Sequence, residues 1–350
     1  MNAITATNVS SVPRLIVTTS PHIQSGTSAA RVMWDVNLAM LPALLMAIHN
    51  FGSRAALIVL ISVAGSVAAE YLVQRFLLQK PSSLADGSAV VTGVLLAFCL
   101  PVALPLWVAF VGGFIAIALG KQAYGGLGQN IFNPAHVARA ILLASWPVYM
   151  TTWLKPGTSA ADAITCATPL ALLKESAKDT VLLEKLSTSG TSLVQYVLGE
   201  LNVTFSDLFL GINFSGSLGE TSKLALLIGG LYLLIRGHIT LHGPLAMLST
   251  VFAGAWLFGG SFEYALFNLL TGGLMIGALF MITDMVTSPM TNKGHILFGF
   301  ACGAITLLIR MKGGYPEGVC YSILIMNALV PLIDKFTMPR RFGQVQEVVA

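Results

Sequence analysis

The chain has 350 residues, of which 55% are hydrophobic and only 10% charged, with a formal net charge of +4. A soluble domain carries about 25% charged residues, so a chain of this composition is dissolved in lipid rather than water. The small net charge, with no basic cluster interleaved with aromatics, excludes a nucleic-acid surface, and the mean hydropathy of +0.79 agrees with a membrane protein.

Residues 1–31 lack the basic n-region followed by an apolar h-region that marks a cleaved signal, and read as a cytoplasmic N-terminal arm. A membrane span needs about 20 apolar residues, fewer at a kink or in a half-helix. Ten segments qualify. The first five are WDVNLAMLPALLMAIHNF (34–51), AALIVLISVAGSVAAEYLVQ (55–74), AVVTGVLLAFCLP (89–101), PLWVAFVGGFIAIALG (105–120) and ARAILLASWPVYM (138–150). The second five are LALLIGGLYLLI (224–235), GPLAMLSTVFAGAWLFGG (243–260), YALFNLLTGGLMIGALFMI (264–282), ILFGFACGAITLLI (296–309) and VCYSILIMNALVPLI (319–333). The third is short enough to be a broken or re-entrant helix.

Basic residues set the orientation. With the N-terminus inside, the cytoplasmic segments hold Arg14, Arg31, Arg75, Lys80, Lys121, Arg139, Arg236, Lys293, Lys335, Arg340 and Arg341, whereas the short external loops hold only Arg54, Arg310 and Lys312. Both termini are then cytoplasmic and 151–222 is external. That interval holds Lys155, Lys174, Lys178 and Lys185 but more acids, so it is acidic on balance. The expected fold is therefore an all-α integral membrane protein. It has a first five-helix repeat (32–150), one large external loop (151–222), a second five-helix repeat (223–337) and a cytoplasmic tail (338–350). An odd number of spans per half forces the halves into opposite orientations. Gly-Gly breaks in corresponding slots, GGLGQNIFNP (125–134) and GGYPEG (313–318), point to the same inverted repeat.

Three polar, glycine-rich stretches lie against the hydrocarbon: DGSAVVTG (86–93), GGLGQNIFNP (125–134) and TDMVTSPMTNKG (283–294). Irregular backbone at that depth survives only inside protein or against a cavity, and its free amides suit an anion or the polar edge of a cofactor. Each could equally be a capped surface loop. Among charges, Glu70 lies deepest and is a candidate for an ion or proton path. Arg139 opens the fifth span and Glu263 the eighth, and Asp86 and Asp284 read as caps. His238 and His242 have i,i+4 spacing, but Gly237, Gly243 and Pro244 break the helix that a metal pair would need, so they read as structural. Cys99, Cys166, Cys302 and Cys320 share no metal spacing and imply no disulfide framework. No Ser-His-Asp elbow, Walker A loop or HExxH occurs.

One external stretch remains, DAITCATPL (162–170). Pro169 and the small residues make a turn or helix start with Thr165 or Asp162 as N-cap. That reading gives Thr168 no reason to be threonine.

DAITCATPL is similar to the Asp-x-x-Ser/Thr-Gly-Ala-Thr pattern at which a flavin transferase joins FMN to a threonine hydroxyl through a phosphodiester. The likeness extends along nearly the whole chain. SPHIQSGTSAARVMWDV, DGSAVVTGVLLAFCLP, GGLGQNIFNPAHVARA, TDMVTSPMTNKG and GGYPEGVCYSILIMNALVPLID all resemble one family. It holds the D subunit (RnfD) of the Rnf ion-translocating electron-transport complex and the B subunit (NqrB) of the sodium-pumping NADH:quinone reductase. The short N-terminal arm favours the Rnf member. The resemblance implies a flavoprotein subunit of an ion-translocating ferredoxin:NAD oxidoreductase in the bacterial inner membrane, coupled to Na+ or H+ transport and inactive alone. It places covalent FMN on Thr168, within a motif of Asp162, Thr165, Ala167 and Thr168 on the periplasmic side. It also implies a second, non-covalent flavin, riboflavin, for which the glycine-rich stretches are the place to look. The implied partners are the A, B, C, E and G subunits of the Rnf complex, above all the G subunit, itself a flavoprotein, with the flavin transferase for maturation. The chain departs from the pattern at Cys166, where the family carries glycine. STSGTS (187–192) has the glycine but lacks the aspartate and alanine, so Thr168 outranks Thr191. The rival readings are the quinone-reductase subunit, a channel or transporter of inverted-repeat fold without flavin, and a structural membrane anchor indifferent to residue 168.

Overall fold

The computed structural model describes residues 27–79, 82–157, 166–213 and 215–339, and these are helical throughout their regular structure. In the first half α1 (Ala29–Phe51), α2 (Ser53–Leu72), α3 (Ser88–Phe98), α4 (Leu106–Ala118), α5 (Pro134–Ser145) and the short α6 (Pro147–Thr151) follow in order. The loop region carries α7 (Pro169–Ser176), α8 (Thr180–Ser189), α9 (Leu193–Leu201) and α10 (Phe205–Leu210). The second half is α11 (Lys223–Ile235), α12 (His242–Gly259), α13 (Phe262–Leu270), α14 (Leu274–Ile276, running on as a π-turn through Gly277–Met281), α15 (Asn292–Lys312) and α16 (Val319–Thr337). Every one of the ten apolar segments is helical. Five helices among the described residues are long and apolar enough to cross a membrane unaided, and α13 with α14 makes a sixth, bent by 68°. α3 and α11 are shorter apolar helices, as the third segment's length foretold for α3, and α12 runs for 18 residues with much of its apolar surface exposed. Almost all of α3 is buried in protein. The chain is a helical, multi-pass membrane protein.

The packing follows from small residues. Lipid offers no hydrophobic drive for helix association, so close van der Waals fit must supply it. The second and fourth helices of each half pair most extensively, α2 with α4 and α12 with α15. In the first pair a Cβ on Gly113 would overlap the Ser62 carbonyl oxygen and one on Gly65 the Phe110 carbonyl. In the second, a Cβ on Gly299 would overlap the Gly243 carbonyl. The first helices of the two halves also pack on each other, with Gly229 of α11 against the Ala39 carbonyl of α1.

These first helices run antiparallel. Asp35 at the start of α1 accepts from Tyr232 (3.0 Å) and Arg236 (2.9 Å) at the end of α11, and lies 2.6 Å from Nε2 of His238 just beyond it. At the opposite end Asn50 donates to the Gly211 carbonyl (2.6 Å) in the 151–222 region. The start of α1 shares its end of the bundle with the 84–87 turn through Trp34 and Ala85. There Met290 N also donates to Asp334 near the end of α16 (2.9 Å). The bundle therefore has a terminal face, where α1 begins and α16 ends, and a loop face, where 151–222 sits. The same pairing recurs in each half while the direction reverses, which is the inverted repeat.

The close helix approach gives a direct test. Gly229→Leu forces α1 and α11 apart, and overpacking of this kind costs about 1–3 kcal/mol. Gly199→Ala on α9 meets nothing within 4 Å. Thermal melts in detergent should show a lowered midpoint for the first variant and an unchanged or raised one for the second.

Candidate functional site

The loop face is organised around α7. Thr168 is its N-cap: the hydroxyl oxygen accepts from Ala171 N (3.2 Å), and Pro169 fills the first helical position. The sequence offers Thr165 or Asp162 as the cap, but those two residues lie outside the described ones. The capping role falls on Thr168, which gives it one structural reason to be threonine. Thr168 is 5% exposed. The Ala167 carbonyl accepts from Ser215 Oγ (2.7 Å), and Cys166 N donates to the Trp153 carbonyl (3.0 Å). The three residues 166–168 are thus fixed from both sides.

Two further contacts hold α7 to the membrane bundle. Leu170 and Leu173 enter a small apolar core with Val194, Val197, Val203 and Leu208 of the loop helices and Phe267 and Leu270 of α13. Lys174 Nζ donates to the carbonyls of Ile309 (3.2 Å) and Tyr315 (2.7 Å), closing the C-terminal end of α15. Burial, and then the neighbouring Lys178, hold the Lys174 ammonium below the ordinary lysine range. Thr191, by contrast, sits on an exposed turn where Ser189 Oγ donates to its hydroxyl (3.2 Å), with no cavity-lining contact to the bundle.

Beside Thr168 a cleft of about 290 Å³ opens between α7, α5 and the start of α16. Trp153, Tyr315 and Tyr321 form aromatic walls, and Arg139 and Glu317 line its floor together with Cys166, Ala167 and Thr168. Tyr315 and Tyr321 stack with ring centroids 5.7 Å apart. Arg139 Nη2 pairs with Glu317 at 2.6 Å, both side chains being largely buried. Cys166 therefore presents its side chain to the space that the resemblance assigns to a flavin. An aromatic-walled slot with a guanidinium beside a threonine hydroxyl at a helix N-terminus suits a flat ring carrying a phosphate.

The three glycine-rich stretches meet at the opposite face. Ser88 and Thr92, Asn130 and Asn133, and Thr283 and Asp284 line one cavity between the halves, with His238 from beyond α11 at its side. Its walls are otherwise apolar, Val91, Leu95 and Phe280 among them. Asp86 accepts from Ser88 N (2.8 Å) beside Gly87, which is itself the N-cap of α3, and Asp284 accepts from Val286 N (3.4 Å) and Thr287 (3.0 Å) within a turn, so both hold backbone N–H groups but neither is a helix N-cap. The free space is about 90 Å³. A ring system the size of a flavin must therefore displace flexible side chains, and Met33 and Met285 on its wall are of that kind.

Glu70 is fully buried at this face. Its Oε1 accepts from Lys121 (2.7 Å), Ser83 (2.9 Å), Gln74 and Gln122 (both 3.1 Å), and Lys121 donates onward to Ser88 (2.6 Å). The bonds to Oε1 fasten the 83–88 and 121–122 turns to α2, while Oε2 is buried without a hydrogen-bond partner among the described residues. His238 and His242 do not share a helix, as expected, and no group of three metal-binding side chains occurs among the described residues. Glu263 receives hydrogen bonds from Ser192 (3.1 Å) and Gln195 (3.3 Å), tying α9 to α13.

What sequence reasoning missed is a set of partners across the fold: Glu317 for Arg139, Lys121 for Glu70, and the cluster of Glu220, Lys223 and Arg310. GGYPEG already placed Glu317 at a break, which was the available signal.

The chain resembles known proteins over nearly its full length. A profile described as the NQR2, RnfD, RnfE family matches residues 16–343. The D subunit of the Na(+)-translocating ferredoxin:NAD(+) oxidoreductase complex of Acetobacterium woodii is 48% identical over 331 residues, covering 94% of this chain and 95% of that protein. The D subunit of the proton-translocating ferredoxin:NAD(+) oxidoreductase complex of Clostridium ljungdahlii is 46% identical, covering 93% and 96%. The D subunit of the ion-translocating oxidoreductase complex of Stutzerimonas stutzeri is 41% identical over 345 residues, covering 91% and 93%.

The Glu70–Lys121 pair yields a prediction. Glu70→Leu leaves the Lys121 ammonium buried without its carboxylate, and breaking a buried pair costs about 3–5 kcal/mol. Adding Lys121→Met removes the orphaned charge. Unfolding in detergent should show the double variant more stable than Glu70→Leu alone.

Proposed function

We propose, from the premise that this chain belongs to the NQR2, RnfD, RnfE family, that it is a membrane subunit of an ion-translocating ferredoxin:NAD oxidoreductase and carries FMN on Thr168. The observation that carries this reading is the Thr168 hydroxyl itself. It stands at the N-terminus of α7, on the wall of an aromatic cleft floored by Arg139. The printed names of the relatives supply the complex and the ion transport.

The residues fit such a group. The Thr168 oxygen would become the ester oxygen of a phosphodiester, and the N-terminal end of α7 together with Arg139 offers the positive field that its charge needs. Trp153 and Tyr321 flank room for a ring. A flavin there would supply the electron-carrier chemistry, while the protein supplies position and tuning. Since Thr168 is nearly buried, the flavin transferase must act before α7 docks or while it lifts away, a lift resisted by Lys174, by the apolar face of α7 and by the hydrogen bonds at Cys166 and Ala167. Both flank the hydroxyl without occupying it. Asp162 and Thr165 belong to the same motif and would serve transferase recognition. The loop face is then periplasmic, the side favoured by the remaining bias of lysine and arginine once Arg139, counted as cytoplasmic from sequence but lining the loop-face cleft, is set aside, with both termini cytoplasmic in a bacterial inner membrane. The cavity at the terminal face, with amides and hydroxyls at one rim and aliphatic walls, is the place for a non-covalent riboflavin. The other Rnf proteins, the G subunit in particular, are the electron-transfer partners.

Production of the chain with an active flavin transferase, followed by denaturing electrophoresis, tests the reading. The expected result is flavin fluorescence in the wild-type band and in Thr191→Val, with none in Thr168→Val. A dark wild-type band, with the transferase verified on another substrate, would overturn the covalent assignment and leave a channel-like membrane subunit.

A further inference from the structure

A cluster of ionisable side chains lies behind the cleft, at the level where α13 breaks into α14. Glu317 pairs with Arg139 at the cleft floor. Its carboxyl also faces that of Glu220 at hydrogen-bonding range. Glu220 is 2% exposed, Lys223 is fully buried and Arg310 is 5% exposed. The two carboxyls frame the Gly272–Gly273 turn: a Cβ on Gly272 would lie 3.6 Å from Glu317 Oε1, and one on Gly273 would lie 4.0 Å from Glu220 Oε1. Ser217 Oγ donates to Glu220 Oε1 (2.6 Å), and Lys223 Nζ donates to the Glu220 carbonyl. Arg310 donates to the carbonyls of Asn268 and Thr271, and its Nε has no partner among the described residues.

We propose that Glu220 and Glu317 form a proton-binding site, in which the two carboxyl groups hold one proton between them and exchange it with solvent in the Thr168 cleft. Three arguments support it. Arg139 pairs with Glu317 from the cleft side and the Glu220 carboxyl faces Glu317 from behind it, and two carboxyls in contact at low local dielectric resist ionising together. The facing groups also rule out a metal cation as the occupant. Arg139 from α5, Lys223 from α11 and Arg310 from α15 already outnumber the two acids, so a sodium or calcium ion would meet no negative excess. A proton meets the same positive field, but it bonds covalently to one carboxyl oxygen and is donated to the facing one, an arrangement a metal ion cannot adopt. The thiols of Cys99 on α3 and Cys320 on α16 and the phenol of Tyr264 on α13 complete the ionisable surroundings, and none is a carboxylate. Finally, the pair grades inward. Glu317 is part of the cleft wall and Glu220 is sealed behind it, so the proton enters and leaves through Glu317. The site stands on this chain's own residues and holds whether or not Thr168 carries FMN. If it does, a charge arriving in the cleft can be matched by a proton a few residues away.

The test is infrared spectroscopy of the full chain in lipid nanodiscs, made without transferase so that the flavin reading does not enter. The protonated-carboxyl stretch is followed across a pH titration in H2O and D2O. The expected result is one deuterium-sensitive protonated carboxyl persisting at about pH 7, well above the ordinary carboxylate range, and absent in Glu220→Gln, where Glu317 ionises against Arg139. Glu263→Gln leaves it in place, and exchange of Na+ for K+ does not move it. A wild-type spectrum without that band overturns the proposal, as does a band that survives Glu220→Gln or is titrated away by Na+. Should Glu220→Gln fail to fold, Glu220→Asp keeps a carboxyl but must shift the band, and an unshifted band is equally fatal.

Discussion

Arg310 holding the break in the eighth span is the interaction on which the loop face depends. Where α13 stops, the carbonyls of Asn268 and Thr271 lose their helical donors. A buried carbonyl without a partner is expensive, most of all at membrane depth. The Arg310 guanidinium reaches from α15 and donates to both. With those carbonyls satisfied, the chain can turn by 68° through Gly272, whose φ of 70° is costly for a residue with a Cβ. Everything nearby uses that turn. Leu170 of α7 packs toward it, Glu317 and Glu220 fit beside its missing side chains, and α7 thereby comes to rest with Thr168 over the cleft.

The terminal face repeats the design with different residues. There α3 begins after Gly87, also left-handed at φ 75°, and a cation again stands at the break. Lys121, from the end of the fourth span, bonds Ser88 and Glu70 just as Arg310, from the end of the ninth, bonds the α13 carbonyls. The inverted repeat thus places a half-helix, a left-handed glycine and a buried cation near each face. The two ends differ in what is left over. At the terminal face Glu70 pairs with Lys121 beside a cavity that Asp284 also lines, and Asp35 pairs with Arg236. At the loop face Arg139 pairs with Glu317, and the Glu220 carboxyl faces that pair with Lys223 and Arg310 close by. A membrane protein keeps such a residue of charge only where the charge is used.

Much of this was legible in the sequence. Ten apolar stretches gave the helices and their odd number per half gave the inversion, whereas Gly113, Gly229 and Gly299 lie within those stretches with nothing in the local pattern to single out their close approaches. The three glycine-rich stretches were recognisable as unusual, and their convergence on one cavity follows from the physics that raised the suspicion: irregular backbone must find shelter. The pairings were not legible. Glu317 lies far along the chain from Arg139, and Lys121 from Glu70, and nothing in local pattern links them. Glu220 falls at the end of the external loop and Lys223 opens the second repeat, and nothing in the local pattern shows that tertiary packing buries both. The N-cap of α7 was misplaced for a related reason. Asp162, Thr165 and Thr168 are all good caps by type, and only the docked position of α7, set by Leu170, Leu173 and Lys174, selects Thr168.

A density map of the assembled complex, isolated from cells that contain the flavin transferase, tests the account most directly. The account predicts planar density in the loop-face cleft between Trp153 and Tyr321, continuous with the Thr168 side chain and with a phosphate-sized feature toward Arg139. Density ending at an unmodified Thr168, with the cleft filled by side chains or lipid, would contradict it.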